Sequence, residues 1–354
     1  MAAAKTATPE LAGPDAALAW LEAERPALVT SVEAGEPLNA VQLSLTVFRY
    51  LNRDHWSAAL TMSTGALAAA RTLGDPVLIA RTLHDVTAAL LELGRPEDAV
   101  PVLEEAADLL RGTDDRDAEI RTLVLLGVTG TRLGRLREAA EHYHRALELN
   151  QATGDRAVEA HTLVNLGAVE ERLGLNTEAA HHLERAQRLY ADLGDVDGEA
   201  WATDGLASVE IELGRYESAL DHFTRTLDIY RQRGDADAEA WCVQGFGLLF
   251  SRWGQRDRAT QEYGRALAMF RELGDRTGEL YVLNGLGEVT DDVALLTEAL
   301  ALATELSSVE QQARAHAALG RALGSREHYA QAVELYTELA MPEADALRAL
   351  LAAP

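Results

Sequence analysis

Four residues carrying rings stand at forty-residue intervals along the chain: His161, Trp201, Trp241 and Tyr281. Three residues after them come Val164, Asp204, Gln244 and Asn284, and four further on Ala168, Ser208, Leu248 and Glu288. Spacings of i, i+3 and i+7 fall on one face of a helix. The rings therefore stack as a ladder with polar handles beside it, above all Asp204, Ser208, Gln244 and Asn284. Flat apolar surfaces with a few convergent polar groups are what small-molecule and peptide sites are built from. The alternative is that Trp201 and Trp241 pack between helices as core. The same position continues backwards as Arg121 and Arg81, with His84 one turn after Arg81. Guanidinium groups there could hold a carboxylate, or could pair with neighbouring Asp and Glu.

Other chemistry-bearing residues give weaker patterns. His142, His182 and His222 also recur at forty, with His144 and His181 close by. One helix spacing of about 10 Å is too wide for a tight coordination shell, so these are expected to be solvated side chains on an outer face, with no metal. No Ser or His lies in a Gly-x-Ser-x-Gly context, and with Lys5 the only lysine there is no phosphate-binding Gly-x-x-x-x-Gly-Lys loop. Cys242 is the single cysteine, which excludes an intramolecular disulfide or Cys-rich metal site and suits a small buried apolar role. The expectation is a protein that is not an enzyme and needs no cofactor.

The elements that position the ladder are punctuated by glycine. Gly-Asp recurs at Gly154-Asp155, Gly194-Asp195, Gly234-Asp235 and Gly274-Asp275, and a second glycine marks mid-unit at Gly134, Gly174, Gly214 and Gly254. A left-handed glycine ends one helix and an Asp caps the start of the next. In one place Thr113-Asp114-Asp115 replaces the Gly-Asp pair. This grammar predicts first helices at about 77–93, 117–133, 157–173, 197–213, 237–253 and 277–290, and second helices at about 96–111, 136–152, 176–192, 216–232 and 256–272. In the second helices Ala139, Ala179, Ala219 and Ala259 are followed four residues later by Tyr143, Leu183, Phe223 and Tyr263, and three later again by Ala146, Ala186, Thr226 and Ala266. That small–bulky–small stripe is a packing seam. A period in this range means stacked repeats, none of which buries its apolar face alone.

Composition bounds the partners. The 354 residues carry 57 acidic against 32 basic side chains, a formal charge of −25, and a field of that sign disfavours direct nucleic-acid or anionic-membrane binding. No apolar run is long enough to cross a membrane. The first residues lack the pattern of a signal peptide, and a cytoplasmic location is expected.

Helix pairs with Leu166-Gly167 in the first helix and Ala-x-x-x-Phe/Tyr-x-x-Ala in the second resemble tetratricopeptide repeats, in a forty-residue form. The segment Ala19-Trp20-Leu21-Glu22-Ala23-Glu24-Arg25-Pro26 and the stretch from Ala332 to Asp345 are similar to the C-terminal repeat region of actinobacterial regulators of the Streptomyces antibiotic regulatory protein type. Asn165 stands where several peptide-binding relatives of the repeat family carry an Asn, but Gly205, Gly245 and Gly285 take its place in later units. The resemblance implies an all-α, right-handed solenoid of about eight antiparallel helix pairs. It also implies ligand sensing or protein–protein interaction within a transcriptional regulator of antibiotic biosynthesis, through a protein, peptide or small ligand and an ATPase or DNA-binding module in the same or a partner chain. A stand-alone adaptor is the alternative. The expected organisation is a disordered lead-in at 1–13, capping helices at 14–74 with Pro26 bending or breaking the first, regular units at 75–290, and modified units with a capping helix at 291–354.

Overall fold

The computed structural model describes residues 13–51, 55–339 and 341–352; most of the expected lead-in lies outside them. Among the described residues there are 18 α-helices and no strands. The helices are α1 (Pro14–Ala34), α2 (Pro37–Leu51), α3 (Trp56–Leu73), α4 (Pro76–Glu92), α5 (Pro96–Leu110), α6 (Arg116–Arg132), α7 (Leu136–Thr153), α8 (Arg156–Arg172), α9 (Asn176–Leu193), α10 (Val196–Glu212), α11 (Tyr216–Arg233), α12 (Ala236–Arg252), α13 (Arg256–Leu273), α14 (Arg276–Thr290), α15 (Val293–Glu305), α16 (Val309–Leu323), α17 (Arg326–Glu338) and α18 (Glu343–Ala352). In chain order α2 to α17 form eight pairs, flanked by α1 and α18. The chain divides into two compact units, 1–133 and 134–354.

The glycine grammar works as read. Gly234 and Gly274 end α11 and α13 with φ of 68° and 72°, a conformation that costs a side-chain-bearing residue energy. The Asp that follows turns its carboxylate onto the first free amides of the next helix: Asp275 Oδ1 accepts from Thr277 N at 2.9 Å and Gly278 N at 3.1 Å. Such a cap contributes about 1 kcal/mol. Asp115 caps α6 in the same way through Ala118 N, so the irregular Thr-Asp-Asp turn keeps the function of the lattice. One expectation fails at Pro26. The helix α1 runs through it unbroken, because Pro26 is exposed and the carbonyl one turn earlier, left without its amide, can be hydrated.

Packing follows the stripe. Ala219 and Ala259 are fully buried, as are Phe223 and Tyr263. Tyr263 is seated between two glycines, one in its own unit and one in the next, and Phe223 against Gly245 of the next unit. A Cβ on Gly247 would lie 2.5 Å from the Tyr263 ring, and one on Gly285 would lie 2.6 Å from it. In the second unit the odd partners of each pair stay outside while α8, α10, α12, α14 and α16 each touch the next of their own kind. These five helices are the inner layer. Two contacts tie distant parts of the same unit together: Arg172 at the end of α8 pairs with Glu310 at the start of α16, and the side chain of Leu339, after α17, lies against Gly134.

Candidate functional site

The inner layer of the second unit carries the ladder. Trp201 on α10 is 40% exposed, the most open of the large rings on this face. Its indole lies against the imidazole of His161 on α8, ring centres 5.5 Å apart. His161 is fixed by its own turn, since Asn165 Nδ2 donates to the His161 carbonyl at 2.9 Å. The surrounding protein lowers the His161 pKa by desolvation, which keeps the ring neutral near pH 7. Trp241 on α12 is half-buried. It meets Phe270 edge-on at 5.0 Å and Tyr281 edge-on at 5.5 Å, so this rung is shared between groove and core. The packing alternative thus applies to Trp241 and the open-surface reading to Trp201.

The polar handles divide too. Asp204 is half-buried, and its Oδ1 has no hydrogen-bond partner. Burial pushes its pKa up to about 7. Ser208 and Gln244 are half-buried beside the rungs. Asn284 is closed off: it is fully buried, and its Nδ2 donates to the Gln311 carbonyl and Oε1 at 3.2 and 3.0 Å. Helix α16 covers that rung. Tyr281 is half-buried, and desolvation raises its phenol pKa.

Arg81 and Arg121 belong to the first unit, and there the ion-pair alternative is the one found. Arg81 reaches Asp115 at 3.2 Å, and Arg121 reaches the buried carboxylate of Asp85 at 3.3 Å. His84 is buried, with Nε2 2.7 Å from Thr122 Oγ1. Desolvation, reinforced by Arg121 and Arg81, pushes its pKa down to about 3. The imidazole is therefore neutral and adds no positive charge beside the two arginines. Asp85 is pushed up to about 7 by burial, against the pull of Arg121.

Two of the three histidines at forty-residue spacing are not solvated as expected, while His144 and His181 are exposed. His182 turns inward to the buried Glu170 at 2.7 Å and His222 to the buried Glu210 at 2.9 Å. Each ties its helix to the one before, because the helix hairpin brings residues twelve apart face to face. In the last pair the same spacing sets His316 against His328, Nδ1 to Nδ1 2.9 Å. Among the described residues no three His, Cys, Asp or Glu side chains converge as a metal would need. Cys242 is buried as read, and burial raises its thiol pKa.

Residues that the sequence pattern did not single out complete the inner face. Glu171, beside the Arg172–Glu310 bridge, has its pKa raised to about 7 by desolvation, with the nearby Glu212 and Asp204 charges adding to it. Arg314 on α16 grips Glu288 on α14 with two bonds of 2.7 Å. The inner face around Trp201 is thus apolar at the ring and acidic beyond it.

The tetratricopeptide repeat model matches residues 118–192 and 198–272. The fold is a tetratricopeptide-type solenoid. Solved structures agree with it over most of the chain. A Rap protein complexed with Competence and Sporulation Factor aligns with a TM-score of 0.65 at 16% identity, over 88% of this chain and 96% of that one. Aspartyl phosphate phosphatase F from Bacillus subtilis gives 0.60 at 10% identity, over 93% and 94%. NprR in complex with its cognate peptide NprX gives 0.59 at 15% identity, over 90% and 89%. At these identities the likeness is one of fold. No curated protein sequence matches the chain. None of the described helices is long and apolar enough to cross a membrane.

Proposed function

We infer that the second unit is a peptide-binding array, non-enzymatic in its action, whose inner face takes an extended segment with an apolar anchor next to a positively charged or hydrogen-bond-donating group. The observation that carries this is the open indole of Trp201 with the half-buried carboxyl group of Asp204 one turn further on. An apolar anchor would stack on the indole, and a donor would satisfy the carboxylate. The solved complex of NprR with its peptide supports a peptide as ligand for a solenoid of this kind. The glycines at 205, 245 and 285 leave no row of amide side chains along the groove, so recognition is local to the rungs around Trp201. A regulatory setting rests on the resemblance of the Trp20 and Pro342 segments to actinobacterial antibiotic regulators, and in that setting the array would act through a partner or an attached ATPase module.

The test is selection of peptides from a random displayed library on the full chain, followed by affinity measurement on Trp201→Ala. Selected peptides are expected to carry an apolar residue beside Lys or Arg and to lose at least tenfold in affinity on the variant, with unchanged helical circular dichroism. Equal binding to both proteins, or a library yielding no binder, would overturn the reading.

A further inference from the structure

A second cleft lies in the same unit and meets the ladder face only at Glu288. Its walls are the ends of three inner helices: Ser251 and Arg252 of α12 with Arg256 at the start of α13, Glu288 and Asp291 around the end of α14, and Arg321 near the end of α16. The volume is about 580 Å³. The sequence supplies the cause. Helices α8, α10 and α12 each have 17 residues, whereas α14 has 15 and stops at Thr290. The missing half-turn leaves the space between the ends of α12 and α16 unfilled.

Three arginines line this space in a chain of net charge −25, and two of them share one carboxylate. Asp291 serves both Arg256, at 3.4 Å, and Arg321, at 3.5 Å. Arg252 reaches Glu212 at 3.3 Å. Arg321 also donates to the Glu288 carbonyl at 3.0 Å. Glu288 offers the cleft no spare charge, being held in two bonds by Arg314. Asp291 itself has φ of 55°, where the other inner helices use a glycine such as Gly254 for their left-handed turn. Asp enters that region more readily than most residues, and here the turn carries the carboxylate that Arg256 and Arg321 share.

We propose that this cleft binds a phosphoryl group. A carboxylate is satisfied by one arginine fork, as the Glu288–Arg314 pair demonstrates. Three forks arriving from three helix ends suit an anion with more oxygens and up to two charges. The Ser251 hydroxyl adds a donor at the rim. Phosphate would draw Arg252 from Glu212 and share Arg256 and Arg321 with Asp291.

The experiment follows the arginine Nε–H resonances of the full chain while inorganic phosphate is added at constant ionic strength, with sodium acetate and sodium chloride in parallel. Saturable shifts with phosphate are expected. The dissociation constant should rise at least tenfold in Arg256→Gln, whose ion pair among the described residues is with Asp291, and in Arg252→Gln, whose ion pair there is with Glu212. Those two contacts are exposed, so either variant suffices if the other fails to fold. Non-saturating shifts equal to those with chloride, phosphate binding unchanged in the variants, or acetate binding as tight as phosphate would each overturn the proposal.

Discussion

Arg81 and Arg121 in the first unit occupy the same place in their helices as Trp201 and Trp241 in the second, yet the two sets of rungs behave differently. The arginines are turned to Asp115 and Asp85 and are satisfied within the fold. Trp201 has a neighbour on one side, His161, and solvent on the other. Position in the repeat thus fixes where a side chain projects, and the company it keeps decides whether it is available to a ligand. Trp241 lies between these cases, half on the groove and half in the core beside Phe270.

The largest effect that would sharpen this contrast is on stability. Trp241→Ala should destabilise the second unit by about 3 kcal/mol, since it removes a large ring packed on two others; thermal denaturation would show it. A loss within the range of surface substitutions would place Trp241 with Trp201 as an open rung.

The next effect is on pH dependence, where the second unit's shifted carboxyl groups share one sign and the first unit holds both. In the second unit Asp204 and Glu171 both have folded pKa values of about 7, above their unfolded values. Their protonated forms are favoured by the fold, so their contribution is complete below about pH 4 and is lost as pH rises towards 7. In the first unit Asp85 acts in that direction, but His84, lowered to about 3, acts oppositely: its contribution is complete above about pH 6.5 and is lost as pH falls towards 3. Asp204→Asn should therefore flatten the decline between pH 4 and 7 and stabilise the chain at pH 8 by roughly 2 kcal/mol. His84→Gln should flatten a slope of the opposite sign. Melting temperatures across that range would decide, and an unchanged profile for Asp204→Asn would remove the buried-carboxylate account.

The smallest effect belongs to the satisfied rungs. Arg81→Ala breaks a half-exposed pair and should cost less than about 0.5 kcal/mol, with no change in the affinity of a peptide selected on the second unit. A drop in that affinity would mean that the ladder works as one surface through both units.

Most of the architecture was legible because glycine and Asp act locally. Gly274 needs only its own left-handed turn and Asp275 only the next two amides, so a spacing in the sequence becomes a helix boundary in the fold. The glycines at 205, 245 and 285 were visible as a departure from Asn165, but their reason was not. They make room for Leu183, Phe223 and Tyr263 of the preceding helices, a fit that depends on how the units stack. The site was legible only in part. The ladder follows from the period, but the period ends near Thr290, and with it any means of placing α16. That helix seals Asn284 through Gln311, supplies Glu310 and Arg314, and forms one wall of the arginine cleft. The inward turn of His182 and His222 was hidden for a similar reason, because their partners Glu170 and Glu210 lie twelve residues back across a turn.

The bridge from Arg172 to Glu310 spans 138 residues of sequence. An array in which each unit touches only its neighbours can fray from either end, one pair at a time. A fastening between the first and fifth inner helices of the unit converts that open stack into a loop. Peeling α16 away then means breaking a contact with α8 as well as with α14, so the units between are expected to exchange their amide protons together and not in order from the end. Communication along the groove would share that property: a ligand gripping Trp201 would be felt at α16 through the fastening as directly as through the helices in between.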